Sequence, residues 1–525
     1  MKRLGLIALA FALVLGLSQC KKENNATPAN EDAKVPITLN VSSGSRVAVE
    51  GSTGVVTFES GDVIYVASNG TCVGTLTYNG ENFEGEVTEP TEGEKLQFYF
   101  LGNKTPEFNS DNTGCSVVIS DQTEYLPVIS YAPSREDYQV GLTAYNATLL
   151  NKCALVKFDV TSASEAATCI VGMNNKVTVD FTDNSFEYGQ DGEGVIAMPA
   201  GNGEKWAILL PQDGITHTEA YSTDGLYTGS CATIPAIEEN GYLTNGIAVA
   251  INLPGGAIDG LFSVSETQQV YFSKGNLQYI GSAGNGDENN TGAYWKFADH
   301  QWDYLGDNGQ GSSYQTIDRD LFCWGTSGYN HGAVGYQPWY VSVNDNDFYA
   351  YGNWQRNLYD ETGQADWGYN AIANGGNTEN SGWRTPTIYE WYYLCFMRVT
   401  ASGIRWALGT VNGVTGAILL PDEWDASIYA LNDADGGTFN SNIITGEEWI
   451  GTLETNGAVF LPTAGSHEYG QVNSMGERGS YASSSYCTWY GTDWMELYGD
   501  GVFVNINYGK HRYWAASVRL VRNAE

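Results

Sequence analysis

The sequence has few of the features that mark enzymes and metal proteins. Its five histidines are dispersed and none starts an H-E-x-x-H pattern, and its nine cysteines include no C-x-x-C pair. Charged residues make up only 16% of the 525 residues, and long apolar stripes with a 3.6-residue period are almost absent. These gaps argue against a zinc hydrolase, a thiol redox motif and a largely helical fold. We therefore expect a protein that is not an enzyme.

Positive charge is also scarce. The chain carries 25 Lys and Arg against 61 Asp and Glu, for a formal net charge of −36 at pH 7. Such a surface repels phosphate polymers, so no nucleic-acid partner is expected. Beyond the first twenty residues no apolar run approaches 18 residues, so nothing else in the sequence predicts a membrane-spanning helix.

The cysteines lack both metal-ligand spacing and a readable pairing. Apart from Cys20, the eight others are scattered, and eight cysteines allow 105 disulfide connectivities. Several could instead be buried small hydrophobic residues. Both alternatives stay open for Cys72, Cys115, Cys153, Cys169, Cys231, Cys323, Cys395 and Cys487.

What the chain does contain is the composition of β structure. Gly (63), Tyr (34) and Trp (15) are abundant, and short Val/Ile/Thr/Tyr-rich runs alternate with Gly/Asn/Asp clusters. This pattern predicts a mainly β protein. A length of 525 residues favours about three domains.

The N-terminus has the pattern of a secretory signal. A basic start is followed by the apolar run "LGLIALAFALVLGL" (4–17) and then by "LSQC" (17–20), which predicts a signal peptide over residues 1–19. The pattern resembles a bacterial lipoprotein signal, which implies that Cys20 is lipidated. Residues 20–35 would then be the lipidated Cys and a polar tether, anchored stably by two or more acyl chains.

The residues directly after Cys20 indicate where in the cell the protein is located. Their Lys-Lys-Glu start resembles that of surface-exported lipoproteins of fimbriated gut anaerobes. The resemblance implies an outer-membrane, lipid-anchored protein that is displayed on the cell surface.

Residues 36–255 form a run of short predicted strands separated by turn residues. The spacing predicts stacked antiparallel sheets in two β-sandwiches, over 36–150 and 151–255. "SRVAVEGSTGVVTFESGDVIYV" (45–66) and "TGSCATIPAIEENGYLTNGIAVAINL" (228–253) resemble fimbrillins. That resemblance implies transthyretin-like sandwiches of a kind that can assemble by donating a strand to a neighbour's sheet edge. Cleavage after Arg46 and polymerisation stay open, as does a non-polymerising stalk.

The C-terminal region, 256–525, carries fourteen of the fifteen Trp residues. "SGWRTPTIYEWYYL" (381–394), "GSYASSSY" (479–486) and "ASVRLVR" (516–522) resemble C-type-lectin-like domains related to formylglycine-generating enzymes. The resemblance implies an α+β domain in which Thr387 caps a helix and Glu390 closes the capping box. The near-copies "GAILLP" (416–421) and "GAVFLP" (457–462) predict two buried strands.

The chemistry of the related families is not expected here. Formylglycine formation uses a thiol pair and copper, whereas this region has no Cys pair close in sequence and little cationic charge to activate a thiol. "NDND" (344–347) and "DADGG" (433–437) could supply calcium ligands or simply form turns. We expect no cofactor, with calcium as the alternative.

The stretch 486–514 is the candidate binding region. Nine of its 29 residues are Trp, Tyr or Phe, set among Gly, Asn, Asp and Ser, as in an antibody paratope. Val502, Val504 and Ile506 are expected to be core residues. The candidate ligand-binding residues are Tyr486, Trp489, Tyr490, Trp494, Tyr498, Asn505, Asn507, Tyr508, Tyr513 and Trp514.

The sequence thus favours a surface lipoprotein adhesin of the fimbrial tip or accessory type. Its ligand would be a glycan or a protein on host or neighbouring cells. A non-binding structural or anchor subunit of a fimbrillin-type pilus is the main alternative, and an envelope enzyme is another. The stretch also resembles the variable region of retroelement-diversified lectin-like proteins, with Tyr486, Asn505, Asn507 and Tyr508 at diversified positions.

Overall fold

The computed structural model describes residues 33–42, 58–132, 136–306, 314–504 and 506–524. The predicted signal peptide, Cys20, most of the predicted tether and Arg46 lie outside these ranges. The described residues are mainly β with few short helices, which confirms the predicted class. Among them, no helix has the length and apolarity needed to cross a membrane.

The N-terminal half is built of short strands. Several alternate buried and exposed residues, as expected of strands with one face on a core. The strands are β1 Lys34–Ser42, β2 Val63–Ser68, β3 Thr71–Tyr78, β4 Phe83–Thr88, β5 Lys95–Leu101, β6 Glu107–Phe108, β7 Gly114–Val118, β8 Ile129–Tyr131, β9 Glu136–Asp137, β10 Ala144–Thr148, β11 Leu150–Asn151, β12 Ala154–Ser162, β13 Thr168–Ile170, β14 Lys176–Asp180, β15 Ser185–Gly189, β16 Ile196–Met198, β17 Gly203–Leu209, β18 Thr218–Ser222, β19 Tyr227–Cys231 and β20 Tyr242–Pro254.

Three sheets organise this half. One has the order β10-β1-β4-β3-β2-β5-β8-β11, with β9 paired to β5, and another has the order β16-β13-β18-β19-β20-β12-β17. The third, β15-β14-β7-β6, takes strands from both predicted sandwiches. One apolar core runs from Ile37 to Ile251. The regions 36–150 and 151–255 therefore share a sheet and a core.

The expectation of purely antiparallel pairing is wrong in two places. β1 pairs with β10 and β12 pairs with β20 in parallel. Parallel neighbours need a long crossover connection, and the segments between these strands are long enough to provide one. Such pairs link residues that are far apart in sequence, so strand spacing alone does not reveal them.

The described residues of the C-terminal region combine short strands with two short α-helices and several single-turn 3-10 helices. Its α-helices are α1 Ile388–Tyr392, continued by a π-type turn over Tyr393–Met397, and α2 Gly446–Glu448, continued likewise over Trp449–Leu453. Its strands are β21 Phe262–Ser263, β22 Gln269–Phe272, β23 Leu277–Ile280, β24 Tyr294–Phe297, β25 Leu321–Cys323, β26 Trp383–Arg384, β27 Trp406–Val411, β28 Val414–Leu419, β29 Ile443–Ile444, β30 Val459–Pro462, β31 Ser466–Glu468, β32 Gln471–Asn473, β33 Gly479–Thr488, β34 Gly491–Tyr498, β35 Gly501–Val504, β36 Lys510–His511, β37 Ala515–Ser517 and β38 Val521–Asn523.

The pairing of β22 with β38 closes this region, because it joins its beginning to its end in the sheet β21-β22-β38-β26. A larger sheet has the order β32-β31-β37-β33-β34-β35, with β25 on β37 and β36 on β34. The aromatic stretch 486–514 therefore belongs to this larger sheet and its connecting loops. The predicted buried strands within 416–421 and 457–462 are confirmed, since β28 and β30 pair antiparallel and are largely buried.

The predicted capping box at α1 is present. Thr387 Oγ1 accepts a hydrogen bond from the Glu390 N–H at 3.1 Å, and the Glu390 carboxylate accepts one from the Thr387 N–H at 2.8 Å. Arg384 donates two further hydrogen bonds to that carboxylate, at 2.6 and 2.7 Å. Trp391, one residue along, is fully buried. The cap thus fixes the helix that seats this ring.

Replacing Thr387 by Ala is expected to lower the free energy of unfolding by about 1 kcal/mol, because an N-cap acceptor is lost. Thr387→Ser keeps the hydroxyl and is the matched control. Urea unfolding of both variants checks this expectation. Equal stability of the Ala and Ser variants would contradict it.

The cysteines described in the structure are all free thiols, and six of the eight are buried. The interpretation as small hydrophobic residues is thereby confirmed for Cys115, Cys153, Cys169, Cys231, Cys323 and Cys395. The structure contains no disulfide among its described residues.

Asp320 is a buried acid with a strongly shifted pKa. Burial raises the pKa of its carboxyl from 3.8 to about 7, although the Leu305 N–H donates a hydrogen bond to it at 2.5 Å. Between these pH values the folded protein holds a proton that the unfolded chain has released. The contribution of this group to stability is therefore full below about pH 4 and is lost as the pH rises through 7.

Asp320→Asn is expected to reduce the change in the free energy of unfolding between pH 4 and 8. The amide keeps an acceptor for the Leu305 N–H and cannot ionise. The measurement is urea unfolding of both proteins at several pH values between 4 and 8. If the free energy of unfolding changed with pH equally in wild type and variant, Asp320 would not titrate in this way.

Candidate ligand-binding face

The exposed rings of the stretch 486–514 lie in two loops beside the larger sheet. Trp489 is in the tight turn between β33 and β34 and is 61% exposed, and Tyr508 is in the loop before β36 and is 76% exposed. The two loops touch, because a Cβ atom at Gly509 would lie 3.2 Å from the Tyr490 ring. Gly509 has φ +62°, which also favours glycine at this contact. The loops thus present their rings together.

Ring contacts continue from this turn across the sheet to the β31–β32 turn. We call the rings in this series, together with Tyr508, the aromatic face. The ring-centroid distances are 5.3 Å for Trp489–Tyr490, 5.7 Å for Tyr490–His511, 4.7 Å for His511–Tyr513, 5.0 Å for His511–Trp514 and 5.2 Å for Trp514–Tyr469. Tyr469, at the far end, is 75% exposed. The face therefore has exposed rings at both ends.

Arg512 anchors the turn that carries Trp489. Its guanidinium is fully buried, 4.6 Å from the centre of the Trp324 ring and 4.9 Å from that of Tyr349. It donates hydrogen bonds to the carbonyls of Thr488 at 3.0 Å and Gly491 at 3.3 Å. Burial lowers its pKa to about 10, so it stays charged at neutral pH. A buried cation thus holds both ends of the turn.

Asp493 anchors the second loop. Its carboxylate accepts hydrogen bonds from the backbone N–H groups of Asn507 at 2.9 Å, Tyr508 at 3.2 Å and Gly509 at 3.3 Å. Burial and the adjacent Asp493 carboxylate raise the pKa of the Cys487 thiol to about 12. This thiol therefore stays protonated, which does not suit a nucleophile. Both loops of the aromatic face are held by buried polar contacts.

The carboxylates considered as calcium ligands already have protein partners. Asp345 accepts a hydrogen bond from the Arg512 N–H at 2.6 Å and pairs with His511 Nδ1 at 2.8 Å. Asp347 accepts from Ser342 at 2.6 Å, while Asp435 pairs with Arg405 at 2.6 Å. Across the described ranges, no group of three or more His, Cys, Asp or Glu side chains is arranged to hold a metal ion. The first run lies at the start of the short 3-10 helix Asp345–Phe348, and the second contains a turn at 434–435.

The predicted binding residues differ in their exposure to solvent. Trp489, Asn507 and Tyr508 are exposed, whereas Tyr486, Tyr490, Tyr498, Tyr513 and Trp514 are half-buried. Asn505 lies outside the described residues.

Tyr486, Trp494 and Tyr498 are not members of the ring series, although the Trp494 ring lies against that of Trp514, with centroids 6.4 Å apart. Trp494 is only 2% exposed and belongs to an apolar core cluster, so the prediction that it contacts a ligand is corrected. Tyr498 contacts Phe503 at the other end of the hairpin, with ring centroids 5.5 Å apart. Of the expected core residues, Val502 is buried while Val504 and Ile506 are half-buried.

Sequence patterns missed two rings of the face. Tyr469 lies outside the aromatic stretch, and no local feature of the sequence marks it. His511 lies within the stretch, but as an isolated histidine it gave no sign of its partner Asp345, 166 residues away. A single ring in a turn can be assigned to a binding face only when the sheet that places it beside other rings is known.

The sequence matches no protein-family model and none of the curated proteins. Among solved structures, it is similar to a candidate cell adhesion protein from Bacteroides ovatus at 14% identity, with 42% of this chain and 96% of that chain covered and a TM-score of 0.28. It is similar to a fimbrial protein from Bacteroides ovatus at 12% identity, with 93% and 99% covered and a TM-score of 0.23. A fimbrial assembly protein from Parabacteroides distasonis matches at 10% identity, with 46% and 96% covered and a TM-score of 0.23. These similarities are distant.

Proposed function

We propose that this protein is a cell-surface adhesin whose aromatic face binds a glycan or a protein on host or neighbouring cells. The observation that carries the proposal is the set of exposed rings held on loops that Arg512 and Asp493 fix in place. Aromatic rings give large contact area at low entropy cost, and Trp and Tyr dominate binding hot spots. A pre-ordered loop loses less entropy when it binds.

The domain assignments form part of the same proposal. A C-type-lectin-like identity for 256–525 is supported by the β22–β38 closure and by the capped helix that carries the buried Trp391. Fimbrillin-like sandwiches over 36–255, lipidation at Cys20 and outward display from the outer membrane complete it. In this arrangement the lipid anchor is the membrane contact, and the N-terminal half raises the aromatic face above the cell.

We propose no catalytic role. Burial raises the pKa of the Cys323 and Cys395 thiols to about 12, so neither is poised as a thiolate at neutral pH. They also belong to separate apolar clusters. The chemistry of the formylglycine-generating enzymes therefore has no support in these thiols.

The test is a glycan and mucin-protein array probed with the purified full chain, with and without EDTA. We expect binding to a restricted set of spots that EDTA does not change, since the carboxylates of 344–347 and 433–437 described above have protein partners. Binding lost in EDTA would overturn the metal-free part of the proposal. A well-folded protein that binds nothing would favour the structural or anchor role in a fimbrillin-type pilus.

A further inference from the structure

A second candidate site lies in the C-terminal region, apart from the aromatic face. A cleft of about 700 Å³ opens between the β23–β24 hairpin, residues 299–305 and the turn that joins β27 to β28. This volume is within the range of small-molecule sites. None of the residues predicted to bind ligand lines it. Its polar lining includes Gln278, Lys296, Asp303, Tyr304, Asp318 and Asn412.

Gln278 is the lining residue that points most directly to a ligand. It lies in β23 opposite Lys296 of β24 and is only 5% exposed. Gln278 lines the cleft, its side-chain amide makes no hydrogen bond to any residue in the described part of the chain, and the amide is not among the polar atoms closed off from solvent. Burying an amide without a partner costs stability, so native proteins usually pair such groups. An unpaired amide that faces a cleft is therefore placed to meet a ligand.

Two carboxylates of the cleft keep one oxygen each for a ligand. Asp303 Oδ2 accepts from the His300 N–H at 3.0 Å and contacts the His300 ring nitrogen at 3.0 Å, while Oδ1 has no partner among the described residues. Asp318 Oδ1 accepts from the Ser282 N–H at 2.9 Å, and Oδ2 is likewise unpaired there. The positive charge of Lys296 is matched by Asp299 at 2.8 Å. The lining is thus net negative.

These groups fit a hydroxyl-rich, uncharged ligand. Each sugar hydroxyl donates one hydrogen bond and accepts others, so it can donate to a carboxylate or amide oxygen and accept from the amide N–H. Tyr304 lines the cleft and is half-buried, so its ring can cover the apolar face of a pyranose. The carboxylates disfavour sialylated, uronate-containing or sulfated sugars through like-charge repulsion. We propose that this cleft binds a neutral saccharide unit, independently of the aromatic face.

The test titrates the full-length protein by ligand-observed NMR and calorimetry. The probes are methyl glycosides of glucose, galactose, mannose and N-acetylglucosamine, with methyl glucuronide as the charged match. We expect millimolar or tighter binding of at least one neutral glycoside and none of the glucuronide. Absence of neutral binding, or equal binding of the glucuronide, would overturn the proposal.

Three variants locate the binding. Gln278→Leu is expected to weaken it at least tenfold without lowering the melting temperature, since the amide makes no hydrogen bond in the protein. Asp318→Asn keeps the acceptor for Ser282 and is expected to weaken binding several-fold, because a charged acceptor is the stronger one. Tyr389→Ala, on the exposed side of α1, is the control and should bind as wild type does.

A fourth variant, Trp489→Ala, shows whether the glycoside binds in the cleft or on the aromatic face. Glycoside binding that Gln278→Leu spares and Trp489→Ala abolishes would overturn the cleft proposal and assign the sugar to the aromatic face. Failure of the cleft proposal therefore leaves the proposed function standing, since that function is tested separately, by the affinity of the Trp489→Ala/Tyr508→Ala variant for the ligand that the array identifies.

Discussion

Arg512→Ala is expected to lower the free energy of unfolding by about 3–5 kcal/mol and to weaken ligand binding at the same time. The substitution empties a buried volume between Trp324 and Tyr349 and removes the donors to the carbonyls of Thr488 and Gly491. Large-to-small changes in a core cost about 2–5 kcal/mol, and a buried acceptor left without its donor adds to that. The turn that displays Trp489 would then lose the group that closes it.

Arg512→Lys is the matched variant. It keeps the positive charge but cannot reproduce the planar fork that spans several carbonyls while lying on two rings. We expect stability and affinity between those of wild type and of Arg512→Ala. Urea unfolding gives the first quantity, and hydrogen exchange of the amides in 488–491 shows whether the turn has opened. An Ala variant within about 1 kcal/mol of wild type, with unchanged exchange, would contradict the anchoring role.

The double substitution Trp489→Ala/Tyr508→Ala is expected to reduce ligand affinity by about a hundredfold or more while leaving the fold intact. Hot-spot aromatics contribute about 2 kcal/mol or more each, and every 1.4 kcal/mol is tenfold in affinity. Both side chains are largely exposed, at 61% and 76%, so their removal should change stability by less than about 0.5 kcal/mol. The measurement is the dissociation constant for the ligand that the array identifies.

Tyr389→Ala is the control for this pair as well. Tyr389 is 64% exposed, close to the exposure of Trp489, but lies on α1 and not in the ring series. It should bind as wild type does. If the double variant retained its affinity while the melting temperature stayed unchanged, the ligand would have to bind elsewhere on the protein.

The sequence predicted correctly those features that depend on residues close together in the chain. The capping box of Thr387 and Glu390 depends on residues three apart, and the structure contains both of its hydrogen bonds. The two Gly-Ala runs are strands because apolar residues fill each of them. The mainly β class follows from residue preferences summed over many short segments.

The structure departs from the sequence-based expectation where distant segments meet. Trp494 looked like one more ring of an exposed loop, yet β34 is buried on both faces, so alternation does not bring this side chain to the surface. The contact between the Asp345 carboxylate and His511 Nδ1, at 2.8 Å, joins residues 166 positions apart. The cleft around Gln278 likewise forms only when hairpins from different parts of the chain pack together.

The division of the N-terminal half was predicted from strand spacing, which does not carry information on sheet order. Strands β7 and β14 come from the two predicted sandwiches, yet they pair over five residues, from Lys176 with Val118 to Asp180 with Gly114. Turn residues mark where a strand ends and leave open which strand it will join. A shared sheet is therefore invisible until the fold is known.

The central claim is that the aromatic face makes the protein adhere, and bead adhesion tests it most directly. Beads carrying the oriented full-length protein are allowed to settle on a layer of the ligand found by the array, and the force that detaches them is measured. Wild-type and Tyr389→Ala beads should hold equally, and Trp489→Ala/Tyr508→Ala beads should detach as easily as bare beads. Equal detachment forces for all three proteins would contradict the claim.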